Sequence, residues 1–132
     1  MQTVNERYDY IDNYNQIANE FLNNYYNAKN SNIVNTYMFY NTDCLFTFLG
    51  NELKGFNNYI QKIRNLSLLN IKFIVDNVKI QPSINKTLIV TVKGKFHNNS
   101  KNYNYYNFIE IILLKKNMFD RFVIYNNLFI KV

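Results

Sequence analysis

The amino-acid sequence predicts an α+β domain in which three amino-terminal helices pack on one side of a curved antiparallel sheet. Three observations carry this. Apolar residues recur at steps of three and four up to Leu66, and the period changes to two from Leu69 onward. Gly (three) and Pro (one) are too scarce for long flexible linkers. The late strands barely alternate: Phe108-Ile109-Glu110-Ile111-Ile112-Leu113-Leu114 is apolar on both faces, as is much of Phe119 to Val132. A sheet with one wet face would alternate, so both faces of this one are expected to be covered. The helices suffice for one face, and a partner chain is the simplest cover for the other.

The elements follow in order. Ile11, Tyr14, Ile17, Ala18, Phe21, Leu22 and Tyr25 form the dry stripe of a first helix, with Asn13, Asn15, Asn19, Glu20 and Asn24 opposite. Asn is a mediocre helix former, so packing must hold this helix. A break is expected at Lys29 to Asn32, then a short helix over Ile33 to Tyr37 capped by Asn32. Cys44 to Phe48 reads as a strand and Gly50-Asn51 as a turn. Gly55 opens a third helix with Tyr59, Ile60, Ile63 and Leu66 on one stripe. Strands are then expected from Ile71 to Ile80, Thr87 to Phe96, Tyr105 to Lys115 and Phe119 to Val132, with turns at Gln81-Pro82-Ser83 and a polar loop at His97 to Asn102.

At 132 residues the chain is one domain, 1–132, large enough for a core rich in its 12 Tyr and 11 Phe. Asn fills about a fifth of the positions, which fits AT-rich codons better than a chemical role. The net charge is +6, but Lys62 and Arg64, Lys93 and Lys95, and Lys115 and Lys116 are scattered. A solvated surface is the favoured account, and specific nucleic-acid binding is not expected. The aromatic group Tyr103, Tyr105 and Tyr106 beside Lys101 is read as core-facing rings at a strand start in preference to a base-stacking platform. A lone Cys44 excludes an intramolecular disulfide and, without basic neighbours, is expected to be buried and inert. The amino terminus lacks a hydrophobic signal core and no stretch approaches a membrane span, so an intracellular, soluble chain without a membrane partner is expected.

The order of elements and several stretches resemble the nuclear transport factor 2 family. Phe21, Tyr25 and Tyr26 match the family's Phe and paired Tyr near the end of the first helix, and Phe48 stands where a Trp is common, two residues before Gly50. Gly55 and Ile60 match the start of the third helix. Phe108 to Ile112 aligns with an aromatic-x-Gln-x-aromatic strand, and Phe122 to Phe129 with the closing strand. The resemblance spans nearly the whole chain.

It implies a cone-shaped domain whose bent sheet wraps a long helix and which dimerises through its outer sheet face. Carried over by position, that face shows Ile89, Thr91, Ile109, Ile111 and Leu128, and strand periodicity adds Leu113. The inward set is Leu88, Val90, Val92, Phe108, Ile112 and Phe129, with Glu110 and Asn127 among them. The resemblance also implies a hydrophobic hole bordered by Phe48 and Leu49, and contact of Tyr8 and Tyr10 with the phenylalanine-glycine repeats of nuclear pore proteins. The import factor of the family grips GDP-bound Ran through carboxylates around that hole. Here Leu49 replaces one, and the loop His97 to Asn102 has Lys101 and no acid. Ran-GDP binding is therefore expected to be weak or absent. The role implied is a non-enzymatic adaptor in protein import or mRNA export, as a homodimer or with a related domain, in cytoplasm and nucleus.

The fold also hosts isomerases and dehydratases, so chemistry inside the cone is the alternative. Glu110 is its candidate: burial would raise a carboxylate's pKa and fit it for general-base work. The favoured reading is a structural acid satisfied by a Tyr hydroxyl or by Asn127, because the family has a non-catalytic Gln at this place. His97 is read as a solvated loop residue and Asp43 as a cap or turn residue before the first strand. No phosphate-cradling glycine loop, metal-ligand spacing or nucleophile elbow occurs, and no cofactor or metal is expected.

Overall fold

The computed structural model describes residues 11–98 and 104–132. Helix α1, Tyr14–Ser31, buries Ala18, Leu22, Tyr25, Tyr26 and Lys29 on one stripe. Asn13 makes no side-chain cap, so packing holds the helix in place. The helix does not break at Lys29. It runs to Ser31 because the Lys29 stem continues the buried stripe and its ammonium has a partner across the core. Asn30 then ties the helix to the sheet: its carboxamide donates to Phe73 O at 2.9 Å and accepts from Phe73 N–H at 2.7 Å. It thereby supplies a partner to one residue of an otherwise open edge strand.

A 3₁₀ segment, Ile33–Phe39, follows, with Asn32 accepting from Val34 N–H at 3.1 Å. Strands β1 (Tyr40–Phe48) and β2 (Asn51–Lys54) form a hairpin, and helix α2 spans Phe56–Asn65. The remaining strands are β3 (Ile71–Pro82), β4 (Leu88–Asn98), β5 (Tyr106–Lys116) and β6 (Phe122–Lys131). They join one six-stranded sheet in the order β2-β1-β6-β5-β4-β3. The sheet is mixed, not wholly antiparallel, because β1 and β6 pair in parallel. The chain leaves β2 through α2 to the far edge and returns through a meander, so its last strand arrives beside β1 pointing the same way.

Several boundaries shift from the sequence reading. Strand β1 begins at Tyr40, which places Asp43 inside an irregular stretch of it instead of before it. The hairpin turn is Leu49-Gly50, with φ of 48° and 84°, as a two-residue turn closing a right-twisted ribbon requires. His97 lies in β4, half-buried against Tyr105 with ring centroids 4.7 Å apart, and is not a solvated loop residue. Strand β6 starts at Phe122, leaving Phe119 in the preceding turn.

Irregularities between Val75 and Asn77 and between Leu113 and Leu114 bend the sheet over α1. The inner face is filled by rings: Phe108 stacks on Phe129 at 5.0 Å, and Phe129 on Phe48 at 5.3 Å. Gly94 makes room for this stack. A Cβ there would run into the Ile74 carbonyl oxygen and lie 2.9 Å from Phe108 Cε1. Gly94→Ala is therefore expected to destabilise the domain by about 2–3 kcal/mol, an overpacking cost, read as a lower urea midpoint with an unchanged slope.

Candidate functional site

Two regions carry the residues singled out by the sequence: a closed interior around Glu110 and an open outer sheet face. Strand alternation turns Glu110 inward from β5, and it is fully buried. Its Oε2 accepts from the Tyr25 hydroxyl at 2.8 Å and from Asn127 Nδ2 at 2.6 Å, and its Oε1 accepts from the Tyr26 hydroxyl. Lys29 Nζ reaches both oxygens, at 3.4 and 3.5 Å, and also donates to the Tyr25 oxygen at 3.2 Å. The same ammonium lies 4.2 Å from the centre of the Phe73 ring. Tyr25 and Tyr40 share a further hydrogen bond of 2.8 Å.

Both expected satisfiers of Glu110, a tyrosine hydroxyl and Asn127, are thus present. The sequence reading missed Lys29. Its signal was position: it falls three and four residues after Tyr26 and Tyr25, on the same stripe, where a buried cation requires a buried acid.

Burial shapes the titration of this cluster. Desolvation first, then the Glu110 charge, holds Tyr25 and Tyr26 well above the ordinary tyrosine value of 10.0. Desolvation raises Tyr40 and Tyr59 as well; the Tyr59 and Glu110 charges add to it at Tyr40, and the Glu110 charge adds to it at Tyr59. Desolvation lowers Lys29, and the Glu110 charge and hydrogen bond oppose that shift. Desolvation pushes the buried Cys44 thiol up to about 12, which makes it a poor nucleophile. Every strong donor around Glu110 is directed at the carboxylate, so its oxygens are engaged by the protein itself.

On the outer face the strand register aligns Lys79, Thr91, Ile111, Leu128, Thr47 and Glu52 across all six strands. Ile89 and Leu113 pair in the next row toward one end, and Ile109 pairs with Ile130 toward the other. All six residues expected on this face therefore share it, each half-buried. Leu45 and Ile130, 52 % and 43 % exposed, extend the apolar area and were not foreseen. Lys79, Lys93 and Lys95 flank it on β3 and β4.

The other candidates separate. Phe48 is buried, edge-on to Tyr59, whereas half-buried Leu49 lines a cleft of about 540 Å³ with Thr47, Ile130 and Lys131. A cleft of about 610 Å³ between the 3₁₀ segment and α2 is lined by Tyr37, Tyr40, Phe56 and Lys54. Glu110 lines neither. Tyr106 packs on Phe96 at 5.6 Å, a core-facing ring, whereas Tyr105 is 54 % exposed. Tyr8, Tyr10, Lys101 and Tyr103 lie outside the described residues. Among the described residues, no three His, Cys, Asp or Glu side chains are grouped to hold a metal ion, and no helix is long and apolar enough to cross a membrane.

Residues 17–130 match the family model of the nuclear transport factor 2 (NTF2) domain. No curated protein sequence matches significantly. Among solved structures, nuclear transport factor 2 from Cryptosporidium parvum is similar with a TM-score of 0.80 and 24 % identity, over 92 % of this chain and 96 % of that one. The yeast UBP3-associated protein BRE5 gives a TM-score of 0.74 and 20 % identity over 89 % and 95 % of the two chains. A putative dehydratase of the NTF2-like family from Streptomyces avermitilis gives 0.73 and 10 % over 89 % and 94 %. The fold is thus shared with proteins described as transport factors, as partner-associated proteins and as enzymes.

Two outcomes follow from the buried cluster. Glu110→Gln leaves the Lys29 ammonium buried without its counter-charge and is expected to cost about 3–5 kcal/mol in urea unfolding. Adding Lys29→Met should recover at least half of that loss. The tyrosines give an alkaline limit. Their folded pKa values lie above the unfolded one, so the stability they contribute is complete below pH 10.0 and is lost as pH rises beyond it. Lys29, lowered from 10.5, contributes in the opposite sense, but it is one group against four. The melting temperature should fall above about pH 10, and phenolate absorbance should show these four tyrosines ionising only as the chain unfolds.

Proposed function

Because the chain belongs to the nuclear transport factor 2 domain family, we propose that it is a non-enzymatic adaptor that works by association through its outer sheet face, as a homodimer or with a related domain. The observation that carries this is the apolar field of Ile89, Ile109, Ile111, Leu113 and Leu128, widened by Leu45 and Ile130, on the sheet face that the chain's own helices do not cover. Contiguous apolar area of this kind on a soluble domain marks a protein-binding surface. The likeness to nuclear transport factor 2 and to a UBP3-associated protein supports the same class of role.

The finer role is nucleocytoplasmic transport, in import or mRNA export, between cytoplasm and nuclear pore. The aromatic cleft of Tyr37, Tyr40 and Phe56 suits a short hydrophobic motif from a pore protein. Ran-GDP is expected to bind weakly or not at all, since Leu49 offers no carboxylate to a basic partner. Catalysis in the cone, the alternative, is disfavoured by an interior filled with rings and by a Glu110 carboxylate already saturated with donors.

A charge set into the middle of the face tests the assignment. Ile111→Glu, half-buried and outward, should keep the circular dichroism of the parent while weakening association about 100-fold or more, because the carboxylate would be desolvated without a partner. An Ile111→Glu chain with the parent's mass in sedimentation would overturn this interface.

A further inference from the structure

The most exposed large apolar side chains among the described residues are neighbours: Met118 at 89 % and Phe119 at 75 %. They form the tip of the β5–β6 hairpin, well away from the centre of the outer face. The tip is rigidly built. Asn117 Oδ1 accepts from the N–H groups of Phe119 at 2.9 Å and Arg121 at 3.1 Å. Asn117 N–H donates to Arg121 O at 2.8 Å, and Asp120 N–H to Asn117 O at 3.1 Å, with Asp120 in the left-handed region at φ 62°. A turn so well fixed holds its two apolar side chains out in water, where core packing gives them nothing.

The surroundings are cationic. Pro82 pairs with Leu88 and Leu88 with Leu114, so the turn after β3 sits at the same end of the sheet as the tip. That turn adds an exposed Ile84, 52 % accessible, and Lys86. A cleft of about 480 Å³ between the two turns is lined by Ile11, Asp12, Asn85, Lys86, Lys115, Lys116 and Asp120. Among the described residues, Lys115, Lys116 and Arg121 stand near the tip with Asp120, which is paired to Lys116 at 3.2 Å. The Lys115 and Lys116 ammonium groups lie 5.9 and 5.7 Å from the centres of the Tyr125 and Phe122 rings, so charge and aromatic surface stand side by side at this end.

We propose that this end of the sheet docks on an anionic phospholipid bilayer, with Met118 and Phe119 entering the boundary between headgroups and acyl chains and Lys115, Lys116 and Arg121 meeting the lipid anions. A protruding two-residue tip offers far less than the roughly 800 Å² per partner of a stable protein interface. Lysine is also depleted from the cores of such interfaces. A lipid surface needs neither a large area nor a shaped pocket: exposed aromatic and aliphatic groups ringed by flexible lysines are what an interfacial anchor uses. Surface docking requires no membrane-spanning segment, although the sequence reading had expected no membrane partner at all.

The test is co-sedimentation of the full chain with vesicles of phosphatidylcholine alone and with about 30 % phosphatidylserine, at low and at high salt. Binding is expected to the phosphatidylserine vesicles, to weaken as salt screens the lysines, and to be absent from phosphatidylcholine. The Met118→Ser/Phe119→Ser chain should bind at least about tenfold less with unchanged circular dichroism, since neither residue contributes to the core. No binding to phosphatidylserine vesicles at low salt would overturn the proposal. Equal binding by the double variant would also overturn it, leaving only general charge attraction. So would self-association of the parent that the double variant abolishes without vesicle binding, which would assign the tip to a second copy of the chain.

Discussion

A carboxylate shut away from water is the constraint around which this domain is arranged. Glu110 sits at the middle of a central strand, and five donor contacts from four side chains meet its two oxygens. Three of those side chains, Tyr25, Tyr26 and Lys29, come from one helix, and the fourth, Asn127, from the neighbouring strand. A buried ion pair adds little net stability compared with a well-packed apolar substitute, but it penalises every arrangement that separates it. Sliding α1 by one turn, about 5.4 Å, would strand both charges in the core. The pair therefore sets the register of helix on sheet, and the aromatic stack from Phe48 through Phe129 to Phe108 fills the space that this register leaves.

That filling has a functional consequence. The interior of this chain holds a stack of rings and a carboxylate engaged by four side chains. The surfaces proposed for recognition lie outside it: the apolar field on the outer face, the aromatic cleft beside α2 and the hairpin end. The same strand serves both sides, since Glu110 points into the lock while Ile109 and Ile111 point into the exposed field. Residues with both faces in demand explain why β5 reads as a nearly unbroken apolar run.

The parts of the fold legible in the sequence were those governed by local period. The dry stripe of α1 follows from spacing, because burial repeats with the geometry of the element; the inward set on β4 to β6 and five of the outer-face positions came from the family resemblance, and strand period added Leu113. The parallel pairing of β1 with β6 was not legible, since nothing in either segment records which remote strand it meets. Lys29 was hidden because a lysine after an apolar stripe ordinarily marks the solvent end of a helix, and only the distant Glu110 reverses that reading. Phe119 misled for the opposite reason: an aromatic residue of high strand propensity was placed in a strand, although Asn117 and the left-handed Asp120 make the turn around it.

The central claim is that the outer sheet face is a surface made for another chain. Sedimentation equilibrium of the purified wild-type protein over a wide concentration range tests it most directly. The account predicts either a discrete dimer or a chain that associates reversibly until a related domain is supplied, because contiguous apolar surface on a sheet face favours association. A monodisperse monomer at all concentrations, with no tendency to associate, would contradict it.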